Sequence, residues 1–204
     1  MQKFGLVIIG AYNGLHIIDD LEIYKDTNIL LVEPVPHNLK ALKERVSNYS
    51  NVKIEEAAIG NINETRKFYF VKEESITKLG KHWADAIGSF SKNHILEHKS
   101  KRFPIENSDI EIAKIDCISI STLFKKYSIS KIDKLLIDVE GAEYEILDSI
   151  DYEKTNIKKI IFEFKHFDGV FNDGKKLDLI KKKLLDHNYI IKQIDQENIL
   201  AEKN

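Results

Sequence analysis

Four apolar runs recur along the chain: FGLVIIG (4–10), NILLVE (28–33), KLLID (134–138) and KIIFEF (159–164). The segments between them repeat apolar residues at helical period. Strands that alternate with helices pair in parallel through crossover connections, and strands with almost no polar position are buried on both faces. The pattern therefore predicts an α/β fold: a doubly wound, mostly parallel sheet with helices on both faces.

Helices are expected over 15–24, 36–46 (opened by Pro36), 142–150 and, more weakly, 120–127. Near the end, Leu177, Ile180 and Leu184 mark a lysine-rich helix. YIIKQI (189–194) and NILAEK (198–203) then flank Asp195, Gln196 and Glu197 as a closing antiparallel hairpin. NVKIEEAAIG (51–60) reads as one further strand. The middle breaks the rhythm. Residues 65–71 and 110–118 look like extra strands, whereas 72–109 is polar, lysine-rich and holds three of the seven histidines and the only tryptophan, Trp83. We expect a single domain over 1–204, with an insertion or cover at about 65–118 whose Trp83 helps to shape a substrate pocket.

Composition narrows the function. With 31 basic and 33 acidic residues the formal charge is -2, so nothing draws the chain toward nucleic acid or anionic membranes. Cys117 is the sole cysteine, which excludes an internal disulfide and fits a reducing compartment, so a cytoplasmic location is expected. The start, MQKFGLVIIGAYNG, imitates a short signal peptide. No small-residue cleavage pattern follows before Asp19, Asp20 and Glu22, and it reads as the first strand. No run approaches the roughly 20 apolar residues needed to cross a bilayer. The expected partner is a small molecule or glycan, with a homodimer the only protein association considered.

The strand ends carry the candidate chemistry. Gly10-Ala11-Tyr12-Asn13-Gly14 lies where the first strand hands over to a helix; small residues there let a ligand approach the backbone and leave N–H groups free. Three residues beyond Gly14, Ile17 stands where the dinucleotide fingerprint wants Gly or Ala, so a tight structural turn is the alternative. Glu33 ends the second strand about 20 residues past the glycines, the spacing of the acid that binds ribose hydroxyls in nucleotide-binding α/β folds. Pro34 and Pro36 shape the turn that follows. Ala57, Ala58 and Ile59 could receive a flat adenine ring, or simply pack. In a sheet of order 3-2-1-4-5, Asp138 faces the 10–14 loop across the ligand crevice at the topological switch. Asp138 and Glu140 are the acids assigned to function, against a capping role, while Glu143 and Glu145 fit the first turns of the next helix.

Together IGAYNG, ILLVEPVP, EEAAIG, LLIDVEGAEYEIL and IIFEF resemble the FkbM family of S-adenosylmethionine-dependent methyltransferases over nearly the whole chain. The resemblance implies a class I methyltransferase (Rossmann-like) fold with seven strands, the last antiparallel. It also implies S-adenosylmethionine as cofactor and methylation of a hydroxyl on a natural product or sugar. The cofactor would be held by Gly10, Ala11, Tyr12, Asn13, Gly14, Glu33, Pro34, Ala57, Ala58, Ile59, Asp138, Val139 and Glu140. Members commonly place an acid directly before the first glycine; here Ile9 occupies that position.

Methyl transfer from a sulfonium needs alignment, exclusion of water and a proton acceptor. Asp138 can orient cofactor or take the proton. His166, in FEFKHF, is a candidate base, with a plain surface histidine as the alternative. A nicotinamide oxidoreductase is a rival, because the glycine turn and Glu33 serve NAD equally, and a non-catalytic cofactor-binding module is another. His94-Ile95-Leu96-Glu97-His98 matches the inverted zincin pattern. With no other protease signal in the chain, the expectation is no metal.

Overall fold

The protein is described by a computed structural model that covers residues 1–81, 83–169 and 174–203. In chain order, β1 (Gln2–Ile9) leads through a 3-10 turn (Leu15–Ile17) to α1 (Ile18–Ile23), β2 (Ile29–Val32), α2 (Pro36–Arg45) and β3 (Val52–Glu55). Next come β4 (Ala58–Gly60), β5 (Glu64–Val71), α3 (Glu73–Leu79), β6 (Gly88–Ser89), α4 (Lys92–Glu97), β7 (Ile110–Ser119) and α5 (Ile120–Lys126). The chain closes with β8 (Ile129–Ile137), α6 (Glu143–Ser149), β9 (Asn156–Glu163), α7 (Gly174–Asp186), β10 (Tyr189–Gln193) and β11 (Asn198–Lys203).

Alternate residues of the first strands serve two cores. Phe4, Val7 and Ile9 of β1, with Leu30 and Val32 of β2, enter one cluster that also holds Leu123, Ile146 and Leu184 of the helices on that face. Leu6 and Ile8, with Ile29 and Leu31, enter the other, against Leu21 of α1 and Leu42 of α2. Both faces of these strands are buried, which is why their sequences lack the polar half of a two-sided alternation. Each fully buried Leu or Ile contributes roughly 1.5–3 kcal/mol, so the two layers hold the central sheet firmly between helices.

The central sheet has the order β10-β11-β9-β8-β1-β2-β3. Strands β3, β2, β1, β8 and β9 are parallel, whereas β11 runs antiparallel to both β9 and β10. The doubly wound sheet with an antiparallel final strand is therefore present as expected. Register aligns the ends of the strands: Ile9 pairs with Val32 and with Ile137, and Ile137 with Phe162. The residues immediately beyond are Gly10, Glu33, Asp138 and Glu163, a row along one edge of the sheet.

Two expectations need correction. Residues 51–60 are not one strand: β3 belongs to the central sheet, and after Glu56 and Ala57 the chain turns away so that β4 pairs with β7. The insertion also makes a sheet of its own, β4-β7-β5-β6. Its core is Val71, Leu79, Ile87, Ile95, Phe103 and Ile105, with Trp83 packed at a tilt against Phe103, 4.5 Å between ring centroids. Trp83 thus packs the insertion and does not line the cleft described below. His82, the third histidine of the insertion, lies outside the described residues. Cys117 is buried and unpaired. Among the described residues no helix is long and apolar enough to cross a membrane.

Candidate functional site

The loops after β1 and β8 meet because nothing but hydrogen stands between them. Gly10 has φ +89°, and a Cβ there would lie 1.7 Å from the carbonyl oxygen of Asp138. The Asp138 N–H donates to Ile9 O at 2.9 Å, and Gly10 N–H donates to Val32 O at 3.0 Å. Three strands are thereby joined at their ends around a cleft enclosing about 1140 Å³, part of it open to solvent.

Glu33 holds the near wall. Its carboxylate is buried and accepts the Tyr12 N–H through Oε2 and the Val35 N–H through Oε1, each at 2.9 Å. Tyr12 is held in the left-handed region (φ 51°) to make this contact. Burial pushes the Glu33 carboxyl up to about 7, against the pull of the two N–H donors and Asn38. With these donors bound, the carboxylate still keeps acceptor capacity for a ligand hydroxyl.

Of the residues singled out in the sequence, Gly10, Glu33, Pro34, Ala57, Ala58, Ile59, Asp138, Val139, Glu140 and His166 line the cleft. Ala11, Tyr12, Asn13 and Gly14 sit behind it and shape the turn. Asn13 Oδ1 accepts the Leu15 N–H at 3.0 Å, and Arg45 Nε donates to Asn13 O at 2.9 Å. The insertion, expected as a cover, and α7 complete the wall through Arg66, Phe68, Phe90, His94 and Lys176; of these only His94 was singled out in the sequence, and for a metal pattern. Arg66 lies over the Phe90 ring at 4.2 Å, and Phe68 meets the same ring edge-on at 5.2 Å. Arg66 and Phe68 are two apart on β5, so strand alternation carried a usable signal for them.

The far wall is acidic. Glu143, fully buried, accepts the Val139 N–H at 2.8 Å and the Gly141 N–H at 2.9 Å, fixing the turn after β8. Burial pushes its carboxyl up to about 8. One oxygen each of Asp138, Glu143 and Glu163 gather within 4.8 Å of one another. Asp138 is open to the water of the cleft. Enclosure by the cleft walls and the neighbouring Glu140 charge still raise its carboxyl above the usual range. Glu163 is raised by burial and by Asp138 and Glu140, and it is partly neutralised by Lys165 at 2.7 Å.

Glu140 turns the other way. It too is left-handed, φ 58°, and its Oε2 points at Nε2 of His94 (3.5 Å), His98 (3.9 Å) and His166 (3.4 Å). Enclosure pushes its carboxyl up, but the three imidazoles outweigh that and hold it below its ordinary value. Burial pushes His166 down to about 4 and lowers His98. A surface position for His166 is thus corrected: it is 3% exposed, beneath the cleft, because Phe164 and Phe167 on either side anchor its segment in the main core.

A family model described as the methyltransferase FkbM domain matches residues 9–191. The chain belongs to the FkbM methyltransferase family. Among solved structures, the FkbM methyltransferase from Methylobacillus flagellatus KT matches with a TM-score of 0.55 at 15% identity. The match covers 98% of this chain and 43% of that one, so this FkbM chain spans less than half the length of that relative. The fibrillarin pre-rRNA processing protein of Methanococcus jannaschii matches with a TM-score of 0.51 at 10% identity, covering 99% of this chain and 67% of that one. At these identities the likeness is one of fold, and it places the FkbM chain in the class I methyltransferase architecture. A search of curated proteins returns no match.

Proposed function

We propose that this FkbM domain transfers the methyl group of S-adenosylmethionine to a hydroxyl of a small molecule or glycan. The supporting observation is the row Gly10, Glu33 and Asp138 at adjoining strand ends around one cleft. In this reading Glu33 accepts the ribose hydroxyls, Ala57, Ala58 and Ile59 receive the adenine, and Gly10, Val139 and Asp138 border the sulfonium. Held there, S-adenosylmethionine would supply an electrophilic methyl carbon to the acceptor oxygen, its C–S bond electrons passing to sulfur to give the neutral thioether, and Asp138 would take the acceptor's proton. The protein's work is alignment and exclusion of water.

Two titrations and one assay test the proposal. S-adenosylhomocysteine should bind in the micromolar range and NAD not at all, and labelled methyl should pass from S-adenosylmethionine to a member of a polyol and sugar panel. Tight NAD binding with none for the thioether would sink it.

Glu33 makes the cofactor affinity depend on pH. Its carboxyl titrates at about 7 in the free protein, and only the anion accepts both hydroxyls. Calorimetry should therefore show S-adenosylhomocysteine binding about tenfold weaker at pH 6 than at pH 8, with proton release near pH 7. Glu33→Gln should bind more weakly and lose that slope. A wild-type affinity that stays flat over this range would remove Glu33 from the ribose site.

A further inference from the structure

We propose that His94, His98, Glu140 and His166 form a binding site for one divalent transition-metal ion of the zinc class in the wall of the cleft. One ligand atom from each of the four lies within 4.8 Å of all the others. The three distances onto Glu140 Oε2 are 3.5, 3.9 and 3.4 Å. A tetrahedral zinc with bonds of about 2.0–2.1 Å separates its ligand atoms by roughly 3.4 Å, so the cluster has the spacing of an ion's ligands and is wider than well-formed hydrogen bonds.

The hydrogen-bond chemistry supports the same conclusion. His98 Nδ1 lies 2.9 Å from His94 O. A carbonyl only accepts, so Nδ1 carries the proton, and in the neutral ring Nε2 turns a lone pair toward the Glu140 carboxylate. Two lone pairs face each other unless a proton or a metal cation lies between them. The backbone contact is also the outer-shell bond that fixes the tautomer of a metal-ligating histidine. Among the described residues His94 Nε2 and Glu140 Oε2 are buried and, 3.5 Å apart, make at most a long, weak hydrogen bond to each other, an arrangement that an ion would relieve. Ring centroids 5.1 to 5.5 Å apart set the three imidazoles around one point. Three nitrogens and one carboxylate oxygen suit zinc, and also iron, better than magnesium or calcium.

The linear motif mislabels its own members. His94 and His98 face the cluster one turn apart on and just past α4, whereas Glu97 is exposed and takes no part. The third and fourth ligands come from the loop after β8 and from the chain after β9. His94, Glu140 and His166 border the same cleft as Asp138. On the methyl-transfer reading, an ion here that expands to a fifth position would meet the acceptor hydroxyl and lower its pKa as a Lewis acid, easing loss of its proton to Asp138.

Chelator-stripped protein titrated with Co²⁺ and then Zn²⁺ tests the site. The expected result is one equivalent of Co²⁺, displaced by Zn²⁺, with quenching of Trp83, whose ring centroid is 6.5 Å from that of His98. His98→Gln and Glu140→Gln should each weaken Zn²⁺ binding by at least about 100-fold, and Glu97→Gln should leave it unchanged. Melting in chelator shows whether each variant is folded. No Co²⁺ or Zn²⁺ binding by the folded wild type, or equal binding by the folded His98 and Glu140 variants, would overturn the site. S-adenosylhomocysteine affinity, measured in the same stripped protein, judges the methyl-transfer reading separately. Metal binding without cofactor binding would remove that reading and leave the site. Unchanged methyl transfer after full stripping would overturn the ion's part in the reaction.

Discussion

Asp138→Asn should lower methyl transfer by about 10²–10⁴-fold, the contribution of a positioned proton acceptor, while S-adenosylhomocysteine binds within a few-fold of wild type. The backbone of this residue is held independently of its side chain, by the N–H donated to Ile9 O at 2.9 Å, and asparagine has the same shape. The fold should therefore survive and the melting temperature stay put. What changes is the ability to take a proton. Enclosure and the Glu140 charge raise the Asp138 carboxyl, which brings it nearer to the acceptor it must deprotonate. His166, wholly buried and held down to about 4, is the weaker base and sits among the other imidazoles. Single-turnover transfer of labelled methyl at saturating cofactor separates the possibilities. If the rate is unchanged, Asp138 takes no proton; if cofactor affinity collapses with the rate, its role is to hold the donor.

The central sheet was legible because its strands are buried on both faces, and continuous apolar runs as short as GLVII and ILLV, bounded by turn residues, fit a buried strand better than a helix. The cofactor side of the cleft was legible for a related reason. Parallel register brings Gly10, Glu33 and Asp138 to one edge, so knowing the strand order sufficed. The break after Glu55 was not legible, since VKIEEAAIG shows no turn residue where β3 ends and β4 leaves for the second sheet. Nor was the histidine cluster. His94 and His98 could be paired from their spacing, but their partners Glu140 and His166 lie on elements set by the tertiary fold. No local pattern marks a residue that follows β8 as the neighbour of an insertion helix. His166 shows the limit from the other side: among Lys165 and Asp168 it reads as surface, yet Phe164 and Phe167 carry it inward.

The tight approach of β1 to β8 yields the second large effect: Gly10→Ala should unfold the switch point. Two penalties act together. An L-residue at φ +89° costs roughly 1–2 kcal/mol by its own backbone. The added Cβ also falls 1.7 Å from Asp138 O and 2.8 Å from its carbonyl carbon. Both are main-chain atoms with no rotamer to yield. Gly10 cannot retreat, because its own N–H and that of Ala11 are bonded to Val32 O at 3.0 and 2.9 Å. Relief comes only by parting β1 from β8, which opens the cleft where donor and acceptor meet. We expect a loss of about 3 kcal/mol or more, a fall in melting temperature of roughly 6–12 °C for a chain of this size, and cofactor binding below detection. Gly80→Ala isolates the backbone contribution, for Gly80 is also left-handed (φ +64°) but, among the described residues, has no atom within 4 Å of a built Cβ. It should cost about 1 kcal/mol and leave binding untouched. Equal costs for the two substitutions would mean that steric closure between β1 and β8 is not what holds the cleft together, and the geometry from which Asp138 acts would need another origin.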